Sequence, residues 1–110
     1  MKQYSIVGME RRKTEELVKA LAIGTSVTLI REPDNEFDKN AIAVWANGVK
    51  VGYIPKKQNV ILAQFIDQSG HGVQPSDNTL AYDNSESSGR AIEAKFVRSP
   101  NSGYPMVQVD

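Results

Sequence analysis

The chain has 110 residues, 40% of them hydrophobic and 24% charged, with 13 basic and 13 acidic side chains and no cysteine. That length suits one core and one domain, residues 1–110, and the missing cysteines exclude disulfides, thiol catalysis and cysteine-bound metals. Zero net charge speaks against a purely electrostatic DNA binder, no apolar run approaches membrane-spanning length, and the opening MKQYSIVGM lacks a signal-peptide core, which predicts a cytoplasmic protein.

In chain order, Tyr4–Gly8 alternates loosely and predicts a first strand. Thr14 is a fair N-cap, Glu15 and Glu16 suit a first turn, and Leu17, Val18 and Leu21 share one stripe before Gly24. A short helix is therefore expected from Glu15 to Ala22. Ser26–Arg31 reads as a strand. The stretch REPDNEFDKN that follows is loop chemistry, because Asn and Asp bond their own backbone and tolerate unusual dihedrals. Ala41–Ala46 reads as a buried strand, Asn47-Gly48 as a type I′ turn and Val49–Ile54 as the returning strand of a hairpin.

Pro55 suits the first turn of a second helix, with Val60, Ile61, Leu62, Phe65 and Ile66 as a wide apolar face and Gly70 as its end. Residues 67–89 are rich in Ser, Gly, Asn and Asp and are expected to form a mobile loop. Ala91–Arg98 and Tyr104–Val109 read as strands around the turn SPNSG. Five or six short strands with two short helices, in non-alternating order, predict a mainly β fold: a small antiparallel barrel.

Charge is unevenly distributed: residues 1–31 carry +3, 32–40 carry −3, 41–66 carry +3, 67–89 carry −4 and 90–110 carry +1. If the two positive segments meet they make a basic face; if not, they only solvate the surface.

No catalytic constellation stands out, so an enzyme is not expected. Glu32, Asp34, Glu36 and Asp38 superficially resemble a calcium loop, but the sixth position from Asp34 is Lys39 and the twelfth is Trp45, where an EF-hand needs Gly and Glu. His71, the single histidine, lies isolated in a Ser/Gly stretch, where a catalytic triad is not expected and an exposed loop residue is. No metal and no cofactor are expected. Phe37 sits among polar neighbours, either as a stacking surface for a nucleic-acid base or as a plug under its own loop. Asp38 is either a turn cap bonded to the Asn40 N–H or an acceptor beside nucleic acid at a point where phosphate is absent, such as a free 3′-hydroxyl. Tyr53 either faces a groove or half-fills the barrel wall.

The string Arg31-Glu32-Pro33-Asp34-Asn35-x-Phe37-Asp38-x-Asn40-Ala41-Ile42-Ala43-Val44, followed by Gly48-x-x-Val51-Gly52-Tyr53-Ile54-Pro55, resembles the signature of the HIRAN domain, and the likeness extends over Ile6–Val97. HIRAN modules occur fused to helicase-like DNA translocases, or alone or beside nucleases and helicases in bacteria and phages. The resemblance implies an OB- or SH3-like barrel and a non-catalytic, DNA-binding role at single-stranded 3′-OH ends, in DNA repair or replication, with a helicase or nuclease as partner and no membrane. It implies that Phe37 stacks on the terminal base, Asp38 meets the 3′-OH, Asn35 holds the loop or the last nucleotide, and Lys56 contacts phosphate. Tyr53 is a further candidate.

The chain departs from the pattern after the first strand. DNA-binding relatives carry an Arg and then an aromatic there, and the matching positions are Glu10 and Arg11. Arg11 can stack through its guanidinium plane, but the missing aromatic and the acid predict only micromolar-range binding. The alternative is a protein-interaction module on the same barrel that has lost DNA-end binding.

Overall fold

The computed structural model describes residues 1–9, 12–72 and 90–110. The elements are β1 (Lys2–Ser5), α1 (Arg12–Ala20), β2 (Ser26–Arg31), β3 (Ile42–Ala46), β4 (Val49–Tyr53), α2 (Lys56–Ser69), β5 (His71–Gly72), β6 (Arg90–Arg98) and β7 (Pro105–Val109). The strands form one antiparallel sheet in the order β1-β7-β6-β2-β3-β4, with β5 added beside β6. The sheet curls into a half-barrel. Its two ends meet where Val7 and Tyr53 exchange N–H···O bonds of 2.8 Å each.

That meeting explains the glycine of the Val-Gly-Tyr motif. A Cβ on Gly52 would lie 2.6 Å from the Val7 carbonyl oxygen and 2.8 Å from an Ile6 methyl, so any side chain would push the first segment away. The hairpin turn forms as its dipeptide demands, with φ of 53° at Asn47 and 77° at Gly48.

Every residue of β3 is buried, because the strand is covered on both faces. Ile42, Val44 and Ala46 enter the barrel interior with Ile6, Leu29, Val51, Leu62, Ile66, Phe96 and Val107, while Ala43 and Trp45 join Ile30 and Ala91 on the other side. This is the period-two alternation of a strand, with apolar residues in both sets.

Several expectations need correction. The first helix runs Arg12–Ala20 and not Glu15–Ala22, since the charged residues before Thr14 are themselves good helix formers. The Leu21 N–H turns back to the Val18 carbonyl and Thr25 caps Ala22, which ends the helix before Gly24. Pro55 is the N-cap of α2, one residue outside the first turn. The wide apolar face expected of that helix is divided: Leu62 and Ile66 are buried together with Asn59 and Ala63, whereas Val60, Ile61 and Phe65 are exposed. Asp67–Ser69 belong to α2, Gly70 caps it and His71–Gly72 form β5, so the expected loop 67–89 does not begin at Asp67; residues 73–89 lie outside the described residues. None of the described helices is long and apolar enough to cross a membrane.

Candidate nucleic-acid interface

The loop from Glu32 to Ala41 joins β2 to β3 and stands beside the N-terminus of α2. Its backbone is shaped by two Asx-type turns. Asn35 accepts from the N–H groups of Phe37 (2.8 Å) and Asp38 (3.1 Å) through Oδ1, and Asp38 Oδ1 accepts from the Asn40 N–H at 2.9 Å. The Asn35 N–H in turn donates to the Glu32 carbonyl at 3.0 Å. Sequence alone supplies these turns, since each bond spans only two or three residues.

Two side-chain anchors hold the shaped loop to the barrel. On one flank the Glu32 carboxylate receives Lys50 Nζ (2.8 Å), the Tyr53 hydroxyl (2.9 Å) and Asn35 Nδ2 (3.0 Å), and Lys50 also donates to the Tyr53 hydroxyl at 3.1 Å. On the other flank Arg31, only 5% exposed, donates to the carbonyls of Lys39 (3.1 Å) and Ala41 (2.9 Å) and pairs with Asp67 at 2.9 Å. Close by, Asn59 Nδ2 reaches from α2 to Asp38 Oδ2 at 2.8 Å.

These contacts set the charge states. Burial alone would raise the Asp38 carboxyl, but the Asn59 amide, the Asn40 N–H and the charges of Lys56 and Arg31 outweigh it and hold it below its ordinary value. Glu32 is lowered in the same way: burial opposes ionisation, and the hydrogen bonds from Lys50, Asn35 and Tyr53 with the Lys50 charge prevail. Burial would lower Lys50, yet Glu32 and Tyr53 hold it above its usual range, and burial and Glu32 together push Tyr53 up despite Lys50.

Against this fixed frame Phe37 is 84% exposed. It is not a plug under the loop. Burying such a side chain would stabilise the fold by about 1.5–3 kcal/mol, and the chain leaves that gain unused while fixing the backbone on both sides of it. Lys56 opens α2 in solvent, its charge felt by Asp38, and the Pro55 cap adds no side-chain hydrogen bond.

Asn35, Phe37, Asp38 and Lys56 are thus gathered at one corner. Tyr53 is tied to the same corner through Glu32, but its hydroxyl is taken up inside the anchor while its ring packs beside the Ile30–Trp45 cluster. It also lines a groove of about 510 Å³ with Gly8, Lys13 and Lys50. Arg11 and Glu10 lie outside the described residues.

The basic face expected from the two positive segments is smaller than the charge count suggested, because Arg31 is buried in an ion pair and Lys50 is bound to Glu32. Among the described residues no three acidic or histidine side chains gather as a metal site.

Sequence reasoning missed Arg31, Glu32 and Asn59 as the residues that position the loop. A signal existed for Asn59. Positions 59, 62, 63 and 66 share one helical face, and Asn is the single polar residue on it.

The HIRAN domain model matches residues 1–97. No curated protein matches the chain. A crystal structure of a protein from Lactobacillus plantarum superposes with a TM-score of 0.67 at 22% identity, over 98% of this chain and 88% of that one, a likeness of fold.

Proposed function

The chain belongs to the HIRAN domain family, and on that premise we propose that it is a non-catalytic module that takes single-stranded DNA by its 3′-hydroxyl end. The observation that carries the proposal is Phe37, an aromatic ring 84% exposed on a loop pinned from both sides. A base stacked on such a ring gains about 1–3 kcal/mol, and a preorganised loop loses little entropy in binding it.

Asp38 supplies selectivity. Each of its oxygens already accepts one hydrogen bond, from Asn40 and from Asn59, which leaves one lone pair on each for a hydroxyl donor. Held ionised, the carboxylate welcomes a terminal O–H and repels a terminal phosphate. Lys56 and the N–H groups at the start of α2 take the preceding phosphate. With two or three phosphate contacts at about −0.7 each, the salt slope of binding is around −2. In this reading the module delivers or protects 3′ ends for a helicase or nuclease in repair or replication.

The test is fluorescence anisotropy with short labelled strands ending in 3′-OH, in 3′-phosphate or in a closed hairpin, at low and moderate salt. Selective binding to the 3′-OH strand is expected. Equal, salt-sensitive binding to all three would reduce the site to a weak basic surface. Absence of binding would favour the second reading, a protein-interaction module, for which an apolar groove of about 290 Å³ between β1 and α2, lined by Tyr4, Ile61, Leu62 and Phe65, is the supporting feature.

Asp38→Asn separates charge from structure. The amide introduced at this position can turn its NH₂ group toward Asn59, whose Oδ1 lacks a partner among the described residues, so a flip of the Asn59 amide restores the hydrogen bond. The variant is expected to stay folded and to lose its discrimination against 3′-phosphate.

A further inference from the structure

Asn59 occupies a core position of α2, on the face it shares with Leu62, Ala63 and Ile66, and is 1% exposed. Its Oδ1 has no hydrogen-bond partner among the described residues. A buried carbonyl without a partner destabilises a fold, and an aliphatic side chain would occupy the same space without that loss. An asparagine here is therefore not explained by packing. What it adds is the 2.8 Å bond from Nδ2 to Asp38 Oδ2, which crosses from the helix to the loop.

That bond completes a clamp. The Asn40 N–H fixes one Asp38 oxygen and Asn59 the other, so the carboxylate plane and its remaining lone pairs point in set directions. Without Asn59 only the Asn40 N–H would restrain the group, leaving it free to turn toward the Lys56 charge and become masked. We propose that Asn59 is the positioning residue of the end site: it holds the Asp38 carboxylate in the orientation that accepts a terminal hydroxyl, and thereby sets the discrimination between 3′-OH and 3′-phosphate ends. This rests on the end-binding reading and deepens it.

The test has one arm without DNA and one with it. Asn59→Leu replaces the amide by a branched apolar group with the same number of heavy atoms. In the free protein, the Asp38 carboxyl carbon is titrated by NMR in wild type and N59L. Its midpoint is expected to move up in the variant, because a donor to the charged form is lost. Lys56 and Arg31, the latter paired with Asp67, are the other charged groups acting on Asp38, and both remain in the variant.

In the binding arm, the affinity ratio between 3′-OH and 3′-phosphate strands is expected to fall about tenfold, the effect of one charge-assisted hydrogen bond, with the salt slope unchanged. An unmoved midpoint and an unmoved ratio in folded N59L would overturn the proposal. If the wild type itself shows no 3′-OH preference, the end-binding reading falls and the discriminating role with it, while the free-protein midpoint separately decides whether Asn59 clamps Asp38. Should N59L not fold, Asn59→Asp keeps the size and sets two carboxylates together. The Asp38 midpoint must then rise, and a stationary one overturns the clamp.

Discussion

The two anchors of the loop from Glu32 to Ala41 do the same job with different physics. The Arg31 anchor is buried: the residue is 5% exposed, and its guanidinium satisfies two backbone carbonyls as well as Asp67. The Glu32 anchor reaches water through Lys50, 39% exposed against 14% for Glu32, and holds the loop by side chains alone, whereas the Arg31 anchor meets water only at Asp67. Bonds in a water-excluded place are hard to break and costly to lose, whereas exposed ion pairs are screened and replaceable. One flank of the loop is thus fixed and the other adjustable, and Phe37 stands between them.

The comparison breaks most sharply at Arg31. Arg31→Leu takes a charged donor from the carbonyls of Lys39 and Ala41, the second of which keeps the Glu32 N–H, and leaves Asp67 without its ion-pair partner, so about 2–3 kcal/mol of stability should be lost in urea denaturation. That is less than for a wholly buried pair, because the Asp67 side chain is 51% exposed. The loss should persist at high salt. Asn35→Ala, which removes the acceptor of two loop N–H groups and a donor to Glu32, should cost about 1–2 kcal/mol and weaken DNA binding by the same route.

Lys50→Met should cost only about 0.5–1 kcal/mol, and thermal melts in roughly 1 M salt should erase most of the difference. If Arg31→Leu and Lys50→Met respond alike to salt, the contrast between anchors is wrong. Smallest in stability is Phe37→Ala, expected within about 0.5 kcal/mol of wild type because the ring is exposed, although DNA affinity should fall tenfold or more.

The pH profile sharpens the same contrast. Glu32 and Asp38 are both lowered in the folded protein, so their contribution is fully present above the ordinary carboxylate range and is lost as pH falls through their folded values. Lys50 and Tyr53 are raised, so theirs is present below their ordinary values and fades as pH rises past them. The Glu32 anchor should loosen at both extremes, and the Asp38 clamp in acid alone. Hydrogen exchange of the loop amides across pH would reveal the difference.

Much of this was legible beforehand. The hairpin was written in Asn47-Gly48 and in the apolar run of β3, and the turns of the loop in Asn35 and Asp38, because such bonds join residues two or three apart. The candidate residues Asn35, Phe37 and Asp38 fell on one loop for the same reason. What could not be read were partnerships across the chain: Glu32 with Lys50 and Tyr53, Arg31 with Asp67, Asp38 with Asn59, separated by 18 to 36 residues. A charge count makes Arg31 and Lys50 available cations, and only their pairing withdraws them.

The sequence by itself therefore determined the strand pattern, the turn chemistry and the family, all of which depend on neighbours along the chain. Tertiary structure decided which polar residues hold the loop and that Phe37 is left uncovered. Burial and long-range hydrogen bonding arise only when β2, β4 and α2 converge around the loop, and no local pattern encodes where a distant donor will stand.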